Sequence, residues 1–295
     1  MSAITVLGSA TIDFVVTQPR LPRPGETIFG GGFTTVPGGK GLNQAIAAAR
    51  AGGNVGFLGA IGNDDFGDRV RTCLQDAGVA TDGLRTVGGP TGTAHIAVLD
   101  GGENAIVIVA AANAVIESLD ADAERLLRGS RFLVSQFERP LPLIREAFAL
   151  ARTAGIRTVL TPAPVREVDG ALLDLVDILV PNAIEACELV GIGDEREAAI
   201  ALSRRVGLVV MTQGERGAMV VRDGAVIFDM PARAVNVVDT TAAGDAFVGA
   251  LVAWLAEDAP LETALRAATA AASLCVTRLG TSSAIPHRGE IEALL

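Results

Sequence analysis

Apolar residues fall along this chain in short continuous runs, separated by longer stretches in which they recur every three or four positions. The runs at 4–7, 55–58, 131–134, 158–160, 178–180 and 208–211 are rich in Val, Ile and Leu with little polar alternation, so they predict strands covered on both faces. Stretches at 42–51, 66–77, 141–154 and 184–190 carry a helical period. Strand followed by helix, repeated, predicts an α/β fold: a mainly parallel central sheet between two helical layers, a three-layer αβα sandwich. After residue 239 the pattern turns helical and alanine-rich, at 244–255 and 261–276.

Two regions break this rhythm. Residues 93–99 and 104–109 flank Asp100-Gly101-Gly102 and predict a β-hairpin, because the turn is rich in residues that tolerate positive φ. Residues 13–36 hold β-branched positions interrupted by Pro19, Pro22, Pro24 and a Gly30-Gly31-Gly32 run, which excludes a long helix. Both segments predict antiparallel strands set apart from the main sheet, forming a small β lid from about 12–36 and 91–110. No repeat or linker-like composition divides the chain, so one domain of 1–295 carrying this lid is expected.

With 295 residues, 49% hydrophobic and 20% charged, the chain can bury a core without disulfide or metal staples. A formal charge of −10 argues against a nucleic-acid groove or an anionic membrane as the main partner. The longest apolar stretch, 105–116, contains Asn113 and falls short of the roughly 20 residues that span a bilayer. Cys73, Cys187 and Cys275 are far apart, and Met1-Ser2-Ala3-Ile4 lacks a basic leader region, so a reducing cytoplasm is expected. Among 24 basic residues Lys40 is the single lysine, in the Gly-rich stretch Pro37-Gly38-Gly39-Lys40-Gly41.

Candidate chemistry clusters in three segments. In Asp239-Thr240-Thr241-Ala242-Ala243-Gly244-Asp245, small residues lead into a helical pattern, whose free N–H groups would hold an anion. Asp245 there suits a base that takes a proton from a hydroxyl attacking a phosphoryl group, and suits a simple helix cap equally well. Gly38-Gly39-Lys40-Gly41-Leu42-Asn43-Gln44 lets backbone approach a ligand, with Lys40 and Asn43 as hydroxyl-binding donors. It is not a P-loop, since Thr34 and Gly41 stand where Gly and Ser/Thr are required. Pro181-Asn182-Ala183-Ile184-Glu185 follows a predicted strand; its Asn/Glu pair suits Mg²⁺ through water, or a capping box. Further strand-end candidates are Asp13, Glu138 and the loop 212–217. His95 reads as structural, and no nucleophile motif is present.

In this order these segments resemble the ribokinase family, the PfkB-type carbohydrate kinases, over nearly the whole chain from Gly8-Ser9 to beyond Arg278-Leu279-Gly280. Ala111-Ala112-Asn113-Ala114 and Pro162-Ala163-Pro164 bring it nearest to the ribose-specific members. The resemblance implies ATP-dependent phosphorylation of a sugar's primary hydroxyl, with D-ribose as the leading substrate. A nucleoside, fructose or a keto-sugar acid, or a regulator that has lost catalysis, are the alternatives. It further implies that Asp245 is the base and Ala242, Ala243 and Gly244 the anion hole. Thr11, Asp13, Gly38, Gly39, Lys40, Asn43 and Glu138 would bind the sugar, with Ala94 and Ile108 closing from the lid. Asn182, Thr212, Gly214, Glu215, Gly217, Gly244 and Thr269 would line the nucleotide, and Asn182 and Glu185 would organise Mg²⁺. A K⁺ activator would lie at Asp239, Thr241, Cys275, Arg278, Gly280 and Ala284, and the lid would pair two subunits into a homodimer. Two positions depart from the family: Thr11 replaces the usual Asn, and Ala284 the usual Ser.

Overall fold

Successive side chains of a strand point to opposite faces, so a strand buried on both sides must feed two cores. The computed structural model, which describes residues 3–101 and 103–295, shows this division. Met1, Ser2 and Gly102 of the expected hairpin turn lie outside the described residues. In chain order the strands are β1 (Ile4–Leu7), β2 (Thr11–Gln18), β3 (Gly32–Gly38), β4 (Val55–Gly62), β5 (Leu84–Val87), β6 (Gly92–Leu99), β7 (Asn104–Val109), β8 (Phe132–Gln136), β9 (Arg157–Thr161), β10 (Ile178–Leu179), β11 (Leu208–Thr212), β12 (Ala218–Arg222) and β13 (Ala225–Met230). The helices are α1 (Lys40–Arg50), α2 (Asp65–Asp76), α3 (Ala121–Arg128), α4 (Leu141–Thr153), α5 (Gly170–Leu173), α6 (Ala183–Val190), α7 (Glu195–Ser203), α8 (Ala243–Ala256), α9 (Leu261–Cys275) and α10 (Arg288–Glu292).

Nine strands form the central sheet in the order β13-β12-β11-β10-β9-β8-β1-β4-β5. From β11 to β5 every pairing is parallel, and β12 and β13 close one edge as an antiparallel hairpin. On one face Ile4, Val6, Phe132, Val134 and Val210 meet α1, α2, α8 and α9; on the other Leu7, Leu133, Val209 and Met211 meet α3, α4, α6 and α7. The continuous apolar runs of the sequence are these doubly buried strands.

The second sheet runs β3-β2-β6-β7. Here the expectation of antiparallel strands is corrected: β2 pairs β3, and β6 pairs β7, antiparallel, but the two central strands β2 and β6 are parallel. Both leave the C-terminal ends of parallel strands, β1 and β5, and therefore set out in the same direction. Two side chains pin the roots of this lid. Buried Asn113 accepts from Ala10 N–H at 3.0 Å and donates to the Ala10 carbonyl at 2.8 Å. Asp64 accepts from the N–H of Thr91 at 2.8 Å and from its hydroxyl at 2.6 Å, just before β6.

Helix α8 is buried along most of its length, because it is enclosed by the sheet, α1 and α9. Its approach to α1 is set by Gly249, where an added methyl would lie 2.3 Å from Ala47 Cβ and 2.5 Å from Ala48 N. Gly→Ala within a helix ordinarily stabilises by roughly 0.5–1 kcal/mol. Here overlap reverses the sign, and Gly249→Ala is expected to cost about 1–3 kcal/mol. A urea midpoint for this variant equal to or above the wild-type value would contradict that packing.

Candidate active site

The end of β1 and the start of α1 meet without side chains between them. A methyl on Gly8 would lie 2.4 Å from the Gly41 Cα, and one on Gly41 would lie 2.5 Å from the Gly8 Cα. This contact brings Ser9, Lys40 and Glu138 together. The Ser9 hydroxyl donates to Glu138 Oε2, the Lys40 N–H donates to the same oxygen at 3.0 Å, and the Leu42 N–H donates to the Ser9 carbonyl at 2.9 Å. Glu138, two residues beyond β8, is thereby fixed at the first turn of α1.

From the other side α8 delivers Asp245, which is buried. Asn43 Nδ2 donates to its Oδ2 at 3.2 Å, and Gln44 Nε2 to its Oδ1 at 3.0 Å. Burial pushes the Asp245 carboxyl up to about 6, against the opposing pull of the Lys40 charge and the two amide donors. Asp13, on β2, is likewise raised to about 6 by burial, with Glu138 and Asp245 adding repulsion and the Thr11 hydroxyl opposing. Burial pulls the Lys40 ammonium down, yet Asp245, Glu138 and Glu185 hold it above the ordinary lysine value. The site thus sets Asp245, Glu138 and Glu185 about one ammonium, with Asp13 beside the first two.

The Thr11 hydroxyl donates to Asp13 Oδ1 at 2.8 Å, so the residue that departs from the family pattern is spent on a neighbouring carboxylate. Gly38 leaves the space that the Asp13 carboxylate occupies, and Asn43 Oδ1 is buried without a partner. Ala94 pairs with Ile108 across the lid; Ala94 is buried, whereas Ile108 is half exposed.

At the start of α8, Ala242 takes the left-handed conformation with φ 61°. Among the described residues no backbone acceptor faces the N–H groups of Gly244 and Asp245. Ala243 departs from the expectation of a free donor: its N–H makes a long bond of 3.3 Å to the Thr240 carbonyl. Asp239 clamps this loop, accepting from the Thr241 N–H and hydroxyl at 2.9 and 2.6 Å and from the Gly280 N–H at 3.0 Å. Burial opposes its ionisation, but these donors hold its carboxyl below the usual range. Cys275 Sγ faces the Thr241 carbonyl at 3.6 Å, and burial, with Asp245 and Asp239, pushes its thiol up to about 12. Arg278 is ion-paired to Glu290, and Ala284 is fully buried.

Asn182 and Glu185 form the capping box of α6: the Glu185 N–H donates to Asn182 Oδ1 and the Asn182 N–H to Glu185 Oε2, each at 2.8 Å. Glu185 Oε1 makes no bond within this box. Thr212 lies beside them, its N–H donating to the Pro181 carbonyl at 2.9 Å. The loop continues through Gly214 and Glu215 to Gly217, next to a cavity of about 560 Å³ lined by Glu195, Gln213, Arg216, Met219 and Met230. That volume lies in the range of small-molecule sites. Thr269, on α9, is buried with its hydroxyl unpartnered.

Sequence reasoning missed Ser9, Gln44, Gln136 and Glu195 as site residues. Gln44 stands inside a quoted motif, but its contacts come from β8, β9 and α8, which local spacing does not reveal.

Residues 1–288 match the model of the pfkB family carbohydrate kinases. A ribokinase of Haemophilus influenzae is 38% identical, over 97% of this chain and 96% of its own. A ribokinase of Bacillus subtilis is also 38% identical, with both chains covered in full. The structure of Arabidopsis thaliana ribokinase complexed with ribose and ATP superposes with a TM-score of 0.93 at 32% identity, over 99% of this chain and 98% of that one. With the buried carboxylate at its helix start, the Gly-rich turn facing it and this match over almost its whole length, the chain belongs to the pfkB family of carbohydrate kinases.

Proposed function

We propose that this carbohydrate kinase transfers the γ-phosphoryl group of ATP to the primary hydroxyl of D-ribose, giving D-ribose 5-phosphate. The observation that carries the reading is Asp245, a buried carboxylate with an amide donor on each oxygen, at a helix start where, among the described residues, the N–H groups of Gly244 and Asp245 face no backbone acceptor. Names of the full-length relatives favour ribose over the other sugars.

In this reading the sugar lies against Asp13, Asn43, Glu138, Lys40 and the backbone of Gly38 and Gly39, with Thr11 acting through Asp13. Ala94 and Ile108 approach from the lid, whose closure excludes water. Asp245 takes the proton of the primary hydroxyl as that oxygen attacks the phosphoryl group, and the N–H groups of Ala242 to Gly244 receive the charge of the transferred group. The nucleotide lies along Thr212, Gly214, Glu215 and Gly217, with Thr269 toward the base.

Asn182 and the oxygen of Glu185 left outside the capping box are hard ligands that fit Mg²⁺, which when bound would neutralise phosphate charge. K⁺ fits the joint between the 239–241 and 280–284 segments, which Asp239 already ties together and where carbonyl oxygens of Thr241, Cys275, Arg278, Gly280 and Ala284 would hold it. Its effect would be to order the loop that carries the anion hole. The exposed apolar face of the lid, including Phe33 and Val107, suits pairing with a second copy, giving a homodimer. Sedimentation at micromolar protein should return that dimer, and a monomer would remove it.

A coupled assay for ADP across pentoses, 2-deoxyribose, hexoses and nucleosides, with and without K⁺, tests the reading. Ribose should give the highest kcat/KM, K⁺ should raise it, and Asp245→Asn should lower kcat by about 10²–10⁴-fold. Turnover of a nucleoside far above that of ribose would replace the assigned substrate.

Since burial raises both Asp13 and Asp245 to about 6, and both act as anions, activity should be full above neutrality and fall as pH drops through about 6. With two groups the fall should be steeper than tenfold per unit. A profile flat down to pH about 5, near the ordinary carboxylate range, would show that neither group is raised.

A further inference from the structure

Both N–H donors of the Gln44 side chain are committed within the protein, and its oxygen accepts one bond. Its Nε2 donates to Asp245 Oδ1 at 3.0 Å and lies 3.3 Å from Thr161 Oγ1 on β9, while its Oε1 accepts from Gln136 Nε2 at 2.5 Å. Asn43, one residue earlier, differs: its Oδ1 is buried and has no partner, so an acceptor is left over there. Two neighbouring amides on α1 thus touch the same carboxylate and have different tasks.

An amide has nearly the same shape in its two flipped orientations, so only its surroundings choose between them. Turned over, Gln44 would set its oxygen against the ionised Asp245 and its NH₂ against the NH₂ of Gln136. Gln136 therefore matters although it does not bond to Asp245. It is fully buried at the end of β8, and its own Oε1 has no partner, a cost that an apolar residue of the same size would avoid.

We propose that Gln44 and Gln136 are positioning residues for the phosphoryl acceptor's base: Gln136 fixes the orientation of the Gln44 amide, and that amide holds Asp245 in its rotamer and in its ionised form. This rests on the reading of Asp245 as the base. The other charged or titratable groups whose fields reach Asp245 are Lys40 on α1, Glu138 after β8, Asp13 on β2 and Cys275 on α9. None of these bonds to either glutamine, so removing an amide leaves them in place.

The test is a double-mutant cycle of Gln44→Met and Gln136→Met, near-isosteric and uncharged changes. Two readouts are needed: kcat and KM for ribose against pH, and the ¹³C titration of the Asp245 carboxyl in the free enzyme, assigned with Asp245→Asn. Gln44→Met should move the titration up by about one unit, equivalent to a tenfold change in the ionised fraction well below the midpoint. Near pH 6, at the wild-type midpoint, kcat should fall about fivefold while the ribose KM stays within about twofold. Gln136→Met should shift the titration in the same direction by less. The double variant should match Gln44→Met alone, because Gln136 acts through Gln44. If a Met variant does not fold, Gln136→Asn, which keeps an amide but withdraws it from Gln44, should give the same upward shift. Titrations that superpose on wild type, or effects of the two glutamines that add, overturn the proposal. Failure of the wild type to phosphorylate any sugar would instead overturn the functional reading, while the free-enzyme titration would still decide the positioning role.

Discussion

Two helices can come backbone to backbone only where one of them carries no side chain, and α1 and α8 do so at Gly249, against Ala47 and Ala48. The hydrogen bonds from Asn43 and Gln44 to Asp245 span these two helices and depend on that separation. A second contact of the same kind, Gly8 against Gly41, seats the start of α1 on the end of β1 and so brings Ser9 and Glu138 to the same place. Residues about 200 positions apart in the chain share hydrogen bonds because a few glycines let main chains touch.

The same closeness creates the electrostatic problem that the site exploits. Asp13 and Asp245 are buried carboxyls beside Glu138, and burial disfavours their ionisation. At Asp245 Lys40 opposes this as a compact ammonium, and a planar guanidinium would need a different geometry. That the other basic residues are all Arg, most of them on the surface, makes the single Lys legible as a local requirement. The overall acidity of the protein does not enter, because the balance that matters is local, among Asp13, Glu138, Asp245, Glu185 and Lys40.

The parallel sheet was legible because doubly buried strands need unbroken apolar runs, as at 4–7 and 208–211. The lid was legible from the prolines and glycines of 13–36, which forbid a helix. Its mixed pairing was not, because the parallel register of β2 with β6 joins segments whose local patterns carry no direction. Asp245, Lys40 and Asn43 were marked by the motifs around them. Gln44 was passed over, since its contacts with Gln136, Thr161 and Asp245 exist only after three strands and two helices have packed. The capping box at Asn182 and Glu185 formed as the spacing allowed, and it leaves one carboxylate oxygen for other use. Arg139, buried with Nε and Nη1 unpartnered and lowered by that burial to about 10, has no explanation in the fold or the site.

The central claim is that Asp245 activates a primary hydroxyl toward a phosphoryl group. The most direct measurement is proton-coupled ³¹P NMR of the product formed from ribose and ATP. Transfer to O5 places the phosphorus next to a methylene group, so a triplet from its two protons is expected, growing about 10²–10⁴-fold more slowly with Asp245→Asn. A doublet from a ring or anomeric CH, or free inorganic phosphate alone, would contradict it.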